Sequence, residues 1–152
     1  MTRRILVPLA AALLAAAVVV GAQAIAAGKG TKTQKIQGVA HAHTVGDVNK
    51  LAGTTKDKYL GNGAVVFDNV AAGPGAKIPF TSFAKKGSYR GTATADIGAN
   101  GNTITITNCT LKFTSGAGAY KGATGKGTCD GTGDLTTGNF TVNYKASLKV
   151  PK

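Results

Sequence analysis

The sequence predicts an all-β fold, a single antiparallel β-barrel of about eight strands preceded by an N-terminal signal helix. Three observations lead there. Apolar and polar residues alternate over long stretches, the pattern of strands with one face in a core and the other in water. Glycine is abundant at 22 residues, tryptophan and glutamate are absent, and Thr and Val recur in alternation, a composition of strands and tight turns. Clusters of Gly, Asn and Pro separate the alternating stretches as turn signals.

Taken in chain order, residues 1–27 read as a secretory signal peptide. Arg3 and Arg4 precede a run of Ala, Leu and Val, and Ala22-Gln23-Ala24 offers small residues at the positions a signal peptidase reads, with Ala26 and Ala27 as alternative cut points. The apolar run nearly reaches the ~20 residues of a spanning helix. Its alanine richness and the polar, glycine-rich sequel favour cleavage, which leaves no stable membrane span and places the protein outside the cell. The remaining chain of about 125 residues buries roughly two-thirds of its unfolded surface, enough for one core. Residues 28–35, GKGTKTQK, are basic and lack apolar periodicity, as in a flexible arm. The barrel domain is then 36–152.

Within that domain the last segment alternates most strictly. Phe140, Val142, Tyr144, Ala146, Leu148 and Val150 form one face, and Thr141, Asn143, Lys145, Ser147 and Lys149 the other. Tyr89 to Ile97 follows the same rule. From Asn102 to Phe113 the phase changes: Ile104 and Ile106 are even, Cys109, Leu111 and Phe113 odd. One extra residue near Thr107-Asn108, a β-bulge, keeps the apolar face on one side. Turns are expected at Gly61-Asn62-Gly63, Ala72 to Gly75, Lys86-Gly87, Ala99 to Asn102, Gly116 to Gly118 and Thr136 to Asn139. Tyr59-Leu60-Gly61, Tyr89-Arg90-Gly91 and Tyr120-Lys121-Gly122 recur at about thirty-residue spacing, a weak repeat in which a ring can cover a glycine on a neighbouring strand.

Cys109 and Cys129 lie symmetrically about Ala119, where paired positions of one antiparallel hairpin fall. In an exported chain this predicts a disulfide. Two buried thiols or a metal pair are the alternatives, although the CxxC spacing of zinc and redox sites is missing.

Signatures of chemistry are absent. Gly125-Lys126 is followed by Gly127, and Tyr120 stands where a nucleotide loop needs its first glycine. The dinucleotide pattern fails after Gly116-Ala117-Gly118, and no helix pattern follows to supply a dipole. The segment from Thr114 to Asp134 therefore reads as hairpin backbone, bent by Gly116-x-Gly118, Gly125-x-Gly127 and Gly131-x-Gly133, with Lys121 and Lys126 as surface charges. His41 and His43 share one strand face, with Asp47 and Asp57 as further ligands only by position, so no metal site is expected. No serine sits in a nucleophile elbow, and the six aspartates occur singly in turn-like contexts. Neither catalytic residues nor a cofactor site are assigned.

The formal charge of +12 is almost all lysine, spread over arm, turns and outward strand faces, with Arg90 the only arginine beyond the signal. Sequence-specific nucleic-acid readers favour arginine forks, so nucleic acid is not expected as a partner, whereas weak adsorption to anionic polymers is. Asn108-Cys109-Thr110 and Asn139-Phe140-Thr141 match the N-glycosylation triplet, but the Ala-rich signal looks bacterial.

The segment GAGAYKGATGKGTCDG resembles the G-T-G-x-[FY]-x-G-A-x-G signature of allene oxide cyclase and dirigent-like β-barrels, through Gly116, Gly118, Tyr120, Gly122, Ala123 and Gly125. Small secreted actinobacterial proteins look similar. The likeness covers the last two-fifths of the chain and departs at Ala117, where Thr is usual. It implies an eight-stranded barrel with an apolar lumen; no catalytic residue of the plant enzymes carries over.

The leading expectation is a secreted non-enzymatic barrel of structural character or holding a small apolar ligand. The alternatives are a cyclase or isomerase working by confinement in the lumen, and a basic protein adhering to anionic cell-wall polymers.

Overall fold

In the computed structural model, which describes residues 30–152, period-two alternation yields eight strands: β1 (Thr31–Val45), β2 (Asp47–Asp57), β3 (Gly61–Phe67), β4 (Gly73–Ala84), β5 (Gly87–Asn100), β6 (Thr103–Gly118), β7 (Thr124–Asp134) and β8 (Asn139–Pro151). Each pairs antiparallel with its sequence neighbour, and β8 returns to β1, closing the barrel in simple order. The predicted signal helix over residues 1–27 lies outside the described residues.

The segment expected as a flexible arm, 28–35, is strand from Thr31 onward. Thr31 to Lys35 pair with Pro151 to Ser147. The physical reason lies at the other end of the chain: β8 continues to Pro151, and its edge needs a partner for its backbone donors and acceptors. Periodicity within 28–35 carries no sign of that demand.

Alternation decides which side chains face inward. Phe140, Val142, Ala146, Leu148 and Val150 of β8 are buried, as are Tyr89, Ala93, Ala95 and Ile97 of β5. Outward positions carry Thr, Asn, Ser and Lys, so the polarity is the inverse of a lipid-embedded barrel. The expected bulge is present. Ile106 pairs with Gly131 and Cys109 with Cys129, leaving Thr107 and Asn108 opposite Asp130 alone. Asn108 adopts a left-handed φ of 49°. The Asp96 carboxylate holds it, accepting from Asn108 Nδ2 at 2.7 Å and from the Gly75 amide at 2.8 Å. A second shift, which leaves Thr114 unmatched between Arg90 and Gly91, has no counterpart in the apolar pattern.

Three expected turns fall elsewhere. Of Ala72 to Gly75, the last three residues belong to β4, and the connection from β3 occupies 68–72. Gly61 to Gly63 belong to β3, and the turn occupies 58–60, because Asp57 captures the Tyr59 and Leu60 amides at 2.8 and 2.9 Å. Gly116 to Gly118 end β6, and the turn runs from 119 to 122.

The glycines of β7 are not bends. Gly125, Gly127, Gly131 and Gly133 occupy alternate, inward-facing positions around Cys129, and none has a positive φ. A Cβ there would meet β8: Leu148 Cα at Gly125, the Ala146 methyl at Gly127, Val142 Cα at Gly131 and the Phe140 ring at Gly133. This strand gives its share of the lumen to side chains from its neighbours. Rings do cover glycines, as the Tyr-x-Gly recurrence suggested, but the pairs are Phe80 over Gly91 and Phe140 over Gly133, while Gly38 faces the Tyr144 hydroxyl. Of the three tripeptides, two stand at turns with a left-handed glycine, Gly61 and Gly122, while Tyr89-Arg90-Gly91 lies within a strand.

Cys109 and Cys129 are directly paired across β6 and β7, with Cα atoms 4.8 Å apart, and form the disulfide. Replacing both by alanine should cost about 3 kcal/mol on the loop-closure scale, read from denaturant midpoints; an unchanged midpoint would show that the bond adds no constraint. Gly127→Val should cost about 1–3 kcal/mol by overpacking, while outward-facing Thr128→Val stays within about 0.5 kcal/mol. Equal effects at the two positions would remove the packing role assigned to the β7 glycines.

Candidate functional site

An eight-stranded barrel encloses space for side chains or for one small ligand, so the lumen is the first place to look. Aromatic rings fill one half of it. Phe67, Phe80, Phe113, Tyr89 and Tyr120 form a chain of tilted and edge-to-face contacts with centroid separations of 6.4, 5.5, 5.7 and 5.6 Å. The chain ends at Tyr120, buried in the β6–β7 turn. That turn docks on its neighbour through Ala119 N–H to the Lys86 carbonyl at 2.9 Å. Gly118, at a φ of 61°, permits the approach, since a Cβ there would stand 2.6 Å from the same carbonyl.

This mouth, where the β2–β3, β4–β5 and β6–β7 turns gather, is the near end. Its interior is more polar than the rest of the lumen. Asp57 is buried at 8% exposure, and its carboxylate accepts three backbone N–H groups, those of Tyr59 and Leu60 and that of Gln37 at 3.0 Å. A carboxylate so occupied organises the turn and anchors β1. Gly38, paired with both Asp57 and Tyr144, is what allows these groups to crowd together: a Cβ there would lie 2.7 Å from the Tyr144 hydroxyl and 2.8 Å from Asp57 Cα.

The Tyr144 hydroxyl, beside Asp57 and Thr55, is closed off from solvent and meets no partner in hydrogen-bonding geometry among the described residues. Burial, then the Asp57 charge, pushes its pKa far up. Tyr89 is pushed up to about 12 by burial, an effect that hydrogen bonding with Ser82 opposes and the Asp57 charge reinforces. Tyr120 is raised for the same two reasons, burial first and Asp57 second. At neutral pH all three are neutral phenols, able to donate a hydrogen bond but not to act as bases.

The remaining space is a cavity of about 80 Å³. Its lining is apolar, with Ile78, Leu111 and Val142 typical, apart from Thr55, Ser82, Tyr89 and Tyr144 toward the near end. Roughly 150 Å³ accommodates benzene in an engineered apolar cavity, and sites for drug-sized ligands run to ~300–1,000 Å³.

Residues singled out as chemistry-bearing in the sequence are held apart. His41 and His43 are both exposed on the outer face of β1, His41 with Nδ1 3.4 Å from Thr141 Oγ1, whereas Asp57 points inward. Among the described residues no group of three or more His, Cys, Asp or Glu side chains converges on a metal-sized site. Asp96 and Asp134 have lowered pKa values, Asp96 chiefly through Asn108 and Asp134 through the Thr136 amide. Asp130 accepts from Asn143 Nδ2 at 3.0 Å. Lys121 and Lys126 are exposed and do not share a deep pocket.

The charges, expected to be spread without order, are sorted along the barrel axis. Lys58, Lys85, Lys86 and Lys121 sit in or beside the near-end turns, Lys32 and Lys35 open β1, and Lys149 and Lys152 close the chain at the same end. Asp68 and Asp134 adjoin far-end turns, where Lys50 Nζ approaches Asp68 at 3.6 Å. On the near-end outer wall two adjoining grooves of about 410 and 400 Å³ share Gln37, Thr128 and Lys145. Tyr144 borders both the lumen and one groove, since Gly38 leaves the wall thin between them. Neither the axial sorting nor the grooves could be read from spacing, because they depend on which strands become neighbours.

Comparison with family models, curated proteins and solved structures returns no match for this chain.

The buried phenols give the fold an alkaline limit. The folded chain keeps the Tyr89 proton up to about 12, against a free-tyrosine value of 10.0. The stabilisation is complete below the lower value and is lost as pH rises through the window between the two. Unfolding free energy should fall between pH 10 and 12, and Tyr89→Phe should flatten that fall. The same slope in the variant would dissociate Tyr89 from the transition.

Proposed function

We propose that this protein is an exported, non-enzymatic β-barrel with a self-filled lumen that can admit only a very small apolar guest. The apolar leader over residues 1–27 and the Cys109–Cys129 pair, a bond favoured in oxidising compartments, support export. The observation that carries the reading is the lumen itself: aromatic rings and aliphatic side chains leave about 80 Å³, and the one buried carboxylate at the near end is consumed by backbone amides. Such a body is a stable scaffold whose partners meet its outer surface.

A second reading, confinement catalysis, draws support from the Tyr144 hydroxyl beside the lumen, unpartnered among the described residues. Protonated at neutral pH, it can donate a hydrogen bond to a substrate oxygen, although its raised pKa makes it a weaker acid than a free phenol. A polyene or epoxide substrate needs a cavity several times larger, so this reading also requires the barrel to widen.

Xenon and dodecane separate the two. Under xenon pressure, methyl resonances of Ile78, Leu111 and Val142 should shift saturably, while dodecane should leave them unmoved. Dodecane shifting the same methyls, or an apolar molecule co-purifying from culture medium in native mass spectra, would overturn the self-filled lumen.

A further inference from the structure

We propose that the lysine-walled groove on the near-end outer wall binds a linear phosphate polymer of the polyol-phosphate class. The proposal is independent of what the lumen holds. The two adjoining grooves cross β7, β8 and β1 to reach the end of β2. Three inter-strand steps make a track of about 14 Å. Lys35, Lys56, Lys58, Lys126 and Lys145 stand along it, all exposed, over a floor that includes Gly127, Thr128 and Ser147. The shape suits a chain laid across the sheet more than a compact anion.

Positive charge in this groove is in excess, five lysines to one carboxylate. Only partial balance comes from Asp130, which accepts a hydrogen bond from Asn143 and keeps its charge against five lysines, while Asp57 beneath is turned inward to backbone amides. At its border, Lys126 lies directly opposite Lys112 on β6, a like-charge cross-strand pair that disfavours the sheet until an anion lies between. Lys58 is steadied with Nζ 5.7 Å from the Tyr59 ring centroid.

The side-chain chemistry narrows the occupant. Lysine is a point charge without the planar fork that reads bases or clasps single carboxylates in bidentate fashion. Tyr59 is the one exposed ring lining the track, whereas single-stranded nucleic acids are held on successive aromatic platforms. Repeated phosphates without bases fit what remains.

The test titrates the protein with poly(glycerol phosphate) over a salt series, with single-stranded DNA of equal charge as comparator. Log affinity should fall linearly with log salt. The triple variant Lys35→Gln, Lys126→Gln, Lys145→Gln should bind at least about tenfold more weakly and lose about 2 from the slope, near 0.7 per phosphate contact on a single strand. A control altered at the far side, Lys50→Gln with Lys77→Gln, should stay within about twofold of the parent, and matched thermal melts should show both variants folded. Equal weakening in the control would reduce the effect to diffuse charge. Absent binding at low salt, or salt-independent binding, would overturn the proposal. So would tighter, groove-dependent binding of DNA, which would make nucleic acid the occupant.

Discussion

Eight strands closed into a ring enclose a narrow space, and the rest of this structure depends on how that space is shared. If every inward position carried a large side chain the ring could not close; if too few did, a void would cost the contacts that hold the walls. The chain meets this by inequality between strands. β7 contributes glycines on either side of Cys129, and β8 and β6 supply Phe140, Val142, Leu148, Leu111 and Phe113 to fill what β7 leaves. Close packing of this kind makes every inward methylene felt. The glycines are thus part of the core, though they bury almost nothing themselves.

Packing also controls the polar groups. The near end of the lumen holds a carboxylate and three phenols, a set that resembles a catalytic constellation when named without its geometry. In place, Asp57 is a structural acceptor for the β2–β3 turn and for β1, and its charge reaches the tyrosines chiefly by disfavouring their ionised forms. The Asp96 carboxylate does comparable work outside, joining the Gly75 amide of β4 to Asn108 at the β6 bulge. Both aspartates hold the backbone at places where regular pairing is interrupted.

Much of the fold was legible locally. The even-to-odd phase change between Ile106 and Cys109 located a bulge, because side chains alternate with a strict period of two and an apolar face can change parity only by adding a residue. The symmetry of Cys109 and Cys129 about Ala119 located their pairing for the same reason. Legibility failed where a residue's role is set by a distant strand. Thr31 to Lys35 look like a polar tail until β8 is beside them, and Gly131 and Gly133 look like bends until Val142 and the Phe140 ring occupy the space a Cβ would take.

By itself, then, the sequence determined the all-β class, the parity of the strands, the bulge and the cysteine pair, since all of these follow from alternation along a single chain or within one hairpin. Only the tertiary structure decided that the lumen is nearly full, that Asp57 is spent on amides, and that lysines from β1, β2, β7 and β8 form one track at one end. Those are consequences of closure. Joining β8 to β1 brings residues more than a hundred positions apart into register, and no periodicity along the chain records which charges will then stand side by side.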